Sequence, residues 1–386
     1  MCHHQKTTYL TCVGDAKDPS TWSGIPYHFL EAGRRIGLID EGLSLGGDGR
    51  NRTLQRILWN SATVLRGRRH GGFQYSNWFL ENLYAPFQNR LAGNRAVNCF
   101  QMYPLSIVRN PSIEKWFYID MTLRQLFDFY GAKLDNRTAA DAMQREGDGY
   151  HAAQGVFTLS QWAADSVVCD YGVRPEKVRA VVPGANVDPD IYSHWFSQTP
   201  YRPIPSEQPL RLVFVGKYWR RKGLDRLMGA FQIARERGAN FTLRIIGVDR
   251  ESAPRAYGTV SGVEWKAFLD KRVSAVEFLD AVSECDVGCL LSRADASPIA
   301  VREYCALGLV TLCTNAGGSL EMAVPEASIS VPVDASDESI AETLLRLCGE
   351  RSRFERMRKE AWRHRQGALW GTTVTRMLNF MQTAIG

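Results

Sequence analysis

Phe214-Val-Gly-Lys-Tyr-Trp-Arg-Arg-Lys-Gly223 is the junction on which the fold reading turns. Leu210–Gly216 leads into it as a short apolar run of strand length, and from Gly223 to Gly238 apolar residues recur at helical spacing. A second apolar run, Phe241–Gly247, follows at once. Downstream the alternation continues. A short strand is expected near Val263–Phe268, a helix near 275–285, a strand at Val287–Ser292 and a helix at about 298–307. Strands at Val310–Thr314 and Ser328–Val331 and helices near 336–348, 350–366 and 372–384 complete that half. Upstream, runs at Tyr9–Val13, Val97–Met102, Trp116–Ile119, Val156–Ser160 and Val178–Val182 alternate with helical segments near 27–36, 53–66, 121–130, 136–149 and 161–171. Short strands separated by helices read as α/β with parallel sheets. Four prolines fall between Ser197 and Pro209, where neither a helix nor a central strand could continue, so the segment reads as an interdomain hinge. The expected architecture is two Rossmann-like domains facing across a cleft, and the cleft is the natural ligand site.

Composition narrows the function classes. The chain has 386 residues, 45% hydrophobic and 23% charged, which excludes a mostly disordered chain. The formal charge of +6 suits anionic ligands or a membrane surface and does not by itself argue for nucleic acid. Met1–Thr8 lacks the apolar core of a signal peptide, and no run of apolar residues is long enough to span a membrane. The nine cysteines are scattered without a CxxC pair, as in a reduced cytoplasmic protein.

Three constellations carry chemistry. Four basic residues, Lys217, Arg220, Arg221 and Lys222, crowd the strand-to-helix loop after Gly216, a place suited to a phosphate or diphosphate or simply a solvated basic loop. No Walker A sequence occurs, and GxGxxG is absent after the first strand, so P-loop and hydride-transfer chemistry lose their support. In Ser292-Arg-Ala-Asp-Ala-Ser-Pro-Ile-Ala-Val-Arg-Glu-Tyr-Cys-Ala-Leu-Gly308, Asp295 lies in a loop after a strand and Glu303 eight residues on lies in the next helix. Carboxylates at the end of a parallel strand can accept hydrogen bonds from sugar or ribose hydroxyls, or can merely cap and pair locally. Thr314-Asn-Ala-Gly-Gly-Ser-Leu-Glu321 places a Gly-Gly turn where backbone amides could approach a phosphate.

With these residues in place the sequence resembles the retaining nucleotide-sugar glycosyltransferases of family 4, with the glycosyltransferase-B fold. The Val-Gly-Lys strand end, the Lys-Gly helix start, the Asp-x7-Glu pair and the Gly-Gly turn stand in the family's order. Phe157-Thr-Leu-Ser-Gln-Trp162, Tyr171-Gly-Val-Arg-Pro-Glu-Lys177 and Val182-Pro-Gly-Ala-Asn-Val-Asp188 look like its N-terminal elements. The resemblance is good over about 155–335 and loose over 1–150. It implies an N-terminal acceptor-side domain, 1–200, completed by a crossing helix at 372–386, and a C-terminal nucleotide-sugar domain, 207–366.

It also implies roles. Lys217 and Lys222 would hold the donor diphosphate, beside Gly216, with Arg220 and Arg221 peripheral. Glu303 would take the ribose hydroxyls. Asp295, where the family usually has Glu, would face the transferred sugar. Gly317, Gly318 and Ser319 would support phosphate or sugar through their amides, and Leu269–Arg272 would line the base pocket. Gly24, in Thr21-Trp-Ser-Gly24, would match the family's glycine loop, although the usual Gly-Gly is missing. Asp120 stands where many members carry a His, or else caps a helix. No metal and no cofactor is implied beyond the nucleotide diphosphate sugar itself. The activity implied is hexosyl transfer to the hydroxyl of a carbohydrate or lipid-linked acceptor, in polysaccharide or glycoconjugate synthesis. The alternative is a noncatalytic sugar-nucleotide-binding protein.

One segment stands apart from these motifs. Between Gly49 and His70 there are six arginines and no acid, with Leu54, Ile57, Leu58, Ala62 and Leu65 at helical spacing. Such a helix suits peripheral contact with the inner face of an anionic membrane, or it packs its apolar face into the N-terminal core.

Overall fold

The computed structural model describes residues 7–44, 49–68, 71–85, 96–205 and 207–385. Met1–Lys6, most of the stretch read for a signal peptide, and Arg69 and His70 of the basic segment lie outside them. The chain divides into two compact units, Met1–Val182 with Thr373–Gly386, and Pro183–Thr372.

The first unit holds six parallel strands: β1 (Thr7–Cys12), β2 (Glu41–Ser44), β3 (Ala96–Met102), β4 (Glu114–Ile119), β5 (Gly155–Thr158) and β6 (Val178–Ala180), in the order β2-β1-β3-β4-β5-β6. Its helices are α1 (Ile25–Arg35), α2 (Gly49–Leu65), α3 (Asn77–Tyr84), α4 (Leu123–Phe129), α5 (Asn136–His151) and α6 (Gln161–Cys169). Trp116, Phe117, Tyr118 and Ile119 of β4 are all buried, so both faces of this central strand are covered, as a parallel sheet requires. Aromatic rings fill the layers on both faces: Phe117 meets Tyr150 edge-on at 5.0 Å on one, and Trp116 and Tyr118 share the other. Phe29 of α1 meets Phe100 and Tyr118 edge-on at 5.5 and 5.0 Å, while Trp116 stacks on Phe157 at 5.6 Å.

The second unit repeats the plan with β7 (Leu210–Val215), β8 (Phe241–Ile246), β9 (Val263–Lys266), β10 (Val287–Leu290), β11 (Val310–Thr314) and β12 (Ser328–Val331), ordered β12-β11-β10-β7-β8-β9 and parallel throughout. Its helices are α7 (Pro189–Ser197), α8 (Leu224–Glu236), α9 (Ala275–Ser283), α10 (Ile299–Ala306), α11 (Asp337–Gly349) and α12 (Arg351–His364). The strand order runs from β7 outward to β9, then returns to the other side of β7 with β10. That reversal makes β7 and β10 neighbours whose following loops diverge, the place where open α/β sheets bind ligands.

The last helix, α13 (Trp370–Ile385), begins in the second unit and continues in the first. Val374 and Met377 are fully buried, and Phe380 meets Phe157 of β5 at 5.5 Å. The apolar stripe of the terminal helix therefore packs within the first unit.

The proline-rich segment is not where the chain changes units. Residues 183–205 lie along the second unit, because α7 is tied to it: the Tyr192 hydroxyl donates to the Ala306 carbonyl at 2.6 Å, and Trp195 Nε1 donates to Asp280 at 2.7 Å. Arg358 then donates to the Arg202 carbonyl at 3.0 Å. The prolines make a surface strap, and the crossings fall at Val182–Pro183 and Thr372–Thr373. Just inside the second unit the two passing segments are locked together. Ala185 N donates to Ala368 O at 2.7 Å and Trp370 Nε1 to Asn186 at 2.9 Å. Arg302, 7% exposed, donates to the carbonyls of Pro183, Met322 and Gly367.

Candidate functional site

The site is assembled on the second unit from loops that leave the carboxyl ends of its strands. After β7 the chain turns through Gly216–Gly223 into α8. Gly223, at φ +73°, caps the helix, and a Cβ there would lie 1.9 Å from the Leu291 carbonyl oxygen, so the loops after β7 and β10 touch through a glycine. Gly216 has the same kind of role. A Cβ on it would meet the Lys222 Cδ at 2.6 Å, and its absence lets the lysine stem lie across the end of β7.

Lys222 and Arg221 converge on Asp295 from that loop. Lys222 Nζ stands 3.3 Å and Arg221 Nη1 3.2 Å from Asp295 Oδ2, and the carboxylate side chain is only 11% exposed. Arg221 also donates to the Ala294 carbonyl at 2.6 Å. The third sequence motif joins the same cluster. Ser319 donates through Oγ to the Asp295 carbonyl at 3.2 Å, and Gly317 before it takes φ +53°. Thr314, at the end of β11, donates to the Ser292 carbonyl at 2.6 Å. Loops after three adjacent strands thus surround one carboxylate paired with two cations.

Glu303 forms a second centre. It is 4% exposed in α10, every residue of which is buried, and its carboxylate accepts from Lys271 Nζ. Lys271 comes from the loop after β9, in the stretch with Leu269, and its Nζ also lies 5.0 Å from the Phe278 ring. Lys217 does not join the Asp295 cluster. Its Nζ lies 3.9 Å from the ring centroid of Phe268, an exposed residue of that same loop. Asp270, next along, has its carboxyl held down to about 2, chiefly by the Arg272 side chain and then by the Arg272 amide.

Several of these contacts were not in the sequence reading. Arg221, taken as peripheral, is a direct partner of Asp295, and Lys271 is the cation on Glu303. Asp295, expected to face the sugar, is occupied by Lys222 and Arg221. Tyr304 is a positioning residue. Its hydroxyl accepts from the Val215 amide at the end of β7 at 2.8 Å, while its ring fills the space that Gly288 leaves. Arg302, Glu303 and Tyr304 are thus consecutive polar residues in a buried helix, each with its own partner. That run of polar residues in an apolar helix was the available signal.

Gly24 and Asp120 lie in the first unit. Gly24, at φ +86°, caps α1, and the two residues before it, Trp22 and Ser23, also have positive φ, 46° and 57°. Left-handed backbone at non-glycine residues is rare and clusters at functional loops. Asp120 directly follows β4, but the cap of α4 is Thr122, which accepts from the Gln125 amide while Gln125 reaches back to the Thr122 amide. Asp120 therefore does not cap that helix.

The same edge of the first unit holds Glu146 of α5, which sequence reasoning passed over. It is fully buried and accepts from the Leu123 amide at 3.0 Å, from the Tyr150 hydroxyl at 2.7 Å and from the Tyr171 hydroxyl. Burial pushes its carboxyl up to about 8, with the two tyrosines and the amide working the other way. Among the described residues no group of three or more His, Cys, Asp or Glu is arranged to hold a metal ion.

Residues 201–364 match the family model of glycosyl transferases group 1. The match contains both centres, Lys222–Asp295 and Lys271–Glu303. Among solved structures, a glycosyltransferase from Rickettsia africae is similar at 11% identity over 98% of this chain and 99% of that one, with a TM-score of 0.65. Sucrose-phosphate synthase from Thermosynechococcus elongatus is similar at 14% identity over 98% and 99%, TM-score 0.67. An Anabaena protein, HepE, solved in complex with UDP-glucose, is similar at 11% identity over 98% and 99%, TM-score 0.61. The fold is that of the glycosyltransferase-B structures. No curated protein matches the sequence.

Proposed function

We propose that this chain is a retaining glycosyltransferase that moves a hexosyl unit from a nucleotide diphosphate sugar to the hydroxyl of a carbohydrate or lipid-linked acceptor, in polysaccharide or glycoconjugate synthesis. The observation that carries the reading is the pairing of Lys222 and Arg221 with a nearly buried Asp295 at the β7–β10 reversal, inside the matched glycosyl transferases group 1 segment. Cations already gathered there can exchange a carboxylate for a diphosphate, whose bonds to them are charge-assisted and multiple. Glu303 would turn from Lys271 to the ribose hydroxyls, and Gly317–Ser319 would offer amides to phosphate or sugar.

In this proposal the bond between the anomeric carbon and the diphosphate oxygen breaks while the acceptor oxygen attacks from the same face. The acceptor proton passes to the departing phosphate oxygen. Lys222 and Arg221 would stabilise the charge that develops on the leaving group, and Lys217 would have to leave the Phe268 ring to join them. The diphosphate is met by basic side chains in this scheme without a divalent cation, so turnover should survive a chelator. Gly24 is proposed as a donor-binding residue and Asp120 as a catalytic one. HepE, solved in complex with UDP-glucose, supports a nucleotide sugar as donor class.

The test is nucleotide release against a panel of nucleotide sugars, with calorimetry in parallel. Release of diphosphate dependent on an added acceptor supports transfer. Tight binding of a nucleotide sugar with no release under any acceptor favours the noncatalytic reading, for which the engagement of Asp295 by two cations is the specific motive. No binding of any member overturns both.

A further inference from the structure

The loop that joins β9 to α9, residues 267–274, reaches into the proposed donor site at two points. None of its residues is buried, whereas every residue of α10, which it touches, is. Its backbone bonds close on the loop itself. The amides of Val273 and Ser274 donate to the Asp270 carbonyl at 2.9 and 2.7 Å, and the Asp270 carboxylate accepts from the Arg272 amide and guanidinium. Two of its side chains reach outward. Lys271 donates to the Glu303 carboxylate, and the Phe268 ring holds Lys217 Nζ at 3.9 Å from its centroid. One loop thus engages both a cation proposed for the diphosphate and the carboxylate proposed for the ribose.

Burial makes the contact at Glu303 a competition. The residue is 4% exposed, and a buried carboxylate without a partner is costly. Among the described residues its carboxylate has one hydrogen-bond partner, Lys271. The Lys271 side chain is itself 32% exposed, so the way from solvent to the carboxylate runs past this ammonium. An ammonium offers N–H donors to a carboxylate, as ribose hydroxyls offer O–H donors. The lysine and the ribose answer the same need.

We propose that Lys271 is a built-in occupant of the nucleoside end of the donor site: in the empty protein its ammonium stands where the ribose hydroxyls go, and the nucleotide binds by displacing it. This rests on the reading of Glu303 as the ribose partner. Lys271 then lowers the affinity for the nucleotide, the opposite of what a cation does in an anion site. The penalty is modest, because a lysine that is already partly open is readily solvated once released.

The experiment is calorimetry of the full chain with UDP, GDP and ADP, and with the uncharged nucleoside of whichever binds. Lys271→Met keeps an unbranched stem beside Phe278 and removes the charge. It should bind nucleotide and nucleoside roughly three- to tenfold more tightly than the wild type. It should also melt lower, because Glu303 is left unpaired in the empty protein. Lys271→Arg keeps the cation and should bind as the wild type does. In a Glu303→Ala background, Lys271→Met should leave Kd unchanged, because the competition has lost its object. A packing role alone would lower the melting temperature without any gain in affinity. If Lys271→Met does not fold, Lys271→Gln, whose amide still donates to Glu303, carries the test with a smaller gain. Wild-type binding with equal or weaker binding by the variant overturns the proposal and leaves the donor-site reading standing, as does a gain that persists without Glu303. No binding of any nucleotide by wild type or variant overturns both.

Discussion

Glu303 and Asp295 of the second unit and Glu146 of the first are all nearly or fully buried, all at the carboxyl edge of a parallel sheet, yet their surroundings differ in kind. Asp295 has Lys222 and Arg221, and Glu303 has Lys271, and these cations stay partly open, with side chains 15, 35 and 32% exposed. Glu146 is held by two tyrosine hydroxyls and an amide, and burial pushes its carboxyl up to about 8. A half-open ion pair can trade its partner for a ligand at modest cost. A carboxyl sealed among tyrosines has nothing to trade with and serves the packing of α4, α5 and Tyr171. The contrast separates two kinds of loss. Changes in the second cluster should harm ligand handling while the fold survives, and changes in the first should alter stability.

The largest expected effect is in turnover. Lys222→Ala leaves Asp295 paired with Arg221, so folding should hold, while the charge stabilisation of the leaving diphosphate is lost. Removing a donor of that kind lowers kcat by roughly 10²–10³. Arg220, exposed over the Trp219 ring, is the control, whereas Arg221 is not, since it binds Asp295 directly. Wild-type kcat at saturating donor in Lys222→Ala would remove this lysine from the chemistry.

Next comes donor affinity. Glu303→Ala should weaken nucleoside diphosphate and nucleotide sugar alike by about 1.5–3 kcal/mol, the value of a charge-assisted hydrogen bond, or roughly ten- to hundredfold in Kd. Lys271, left behind, is exposed enough to be solvated. If calorimetry gives an unchanged Kd for both ligands with a normally folded variant, the ribose does not sit at Glu303.

On the other side of the comparison, Glu146→Gln should act on stability through pH. The folded carboxyl titrates near 8 and the unfolded one near the ordinary 4.5. Below 4.5 both forms hold the proton and the stabilising contribution is whole. As pH rises towards 8 the unfolded chain releases its proton while the folded chain keeps it, so stability falls, by at most about 1.4 kcal/mol per pH unit. The amide of Gln does not titrate, so melting curves of the variant should show a flatter decline between those values. An identical slope in both proteins would place the titration elsewhere.

How much of this was legible in the sequence differs between the two regions for a physical reason. The second unit announced itself because strands such as Val287–Leu290 are continuous apolar runs, and because its chemistry stands in loops with motif order. Four-residue β2, Glu-Gly-Leu-Ser, offers neither period nor β-branched residues and could not be read. The hinge was misplaced because prolines exclude a central strand or a helix but do not say which unit the strap lies on. The tyrosine contacts of Tyr192 and the indole of Trp195 decide that, and they join residues 85 and 114 positions apart. Amphipathic spacing shows a stripe without showing its partner: α13 buries Val374 and Met377, while α2 turns Leu54 and Ile57 outward. Glu146 was invisible because its environment is built from α4, α5 and Tyr171, which only the fold brings together.

The smallest expected effect probes the first unit again, at the turn before α1. Trp22 and Ser23 hold left-handed backbone, φ 46° and 57°, just ahead of Gly24. For an L-residue that conformation costs about 1–2 kcal/mol, and glycine removes most of that cost while adding roughly 0.5–1 kcal/mol of unfolded-state entropy. Ser23→Gly should therefore raise stability slightly, by about 1 kcal/mol at most. The useful reading is the split between stability and turnover. If the strained turn only connects β1 to α1, melting temperature rises and kcat stays as it was. If the turn presents Gly24 to the acceptor or the donor phosphate, the same substitution raises melting temperature and lowers kcat, because the loop loses its preorganised shape. In that second outcome the first unit would own a functional loop after all, and the division drawn between the two sheet edges would hold for their carboxylates alone. A variant that melts lower than the wild type would show that the Ser23 side chain stabilises the turn by more than the strain it carries.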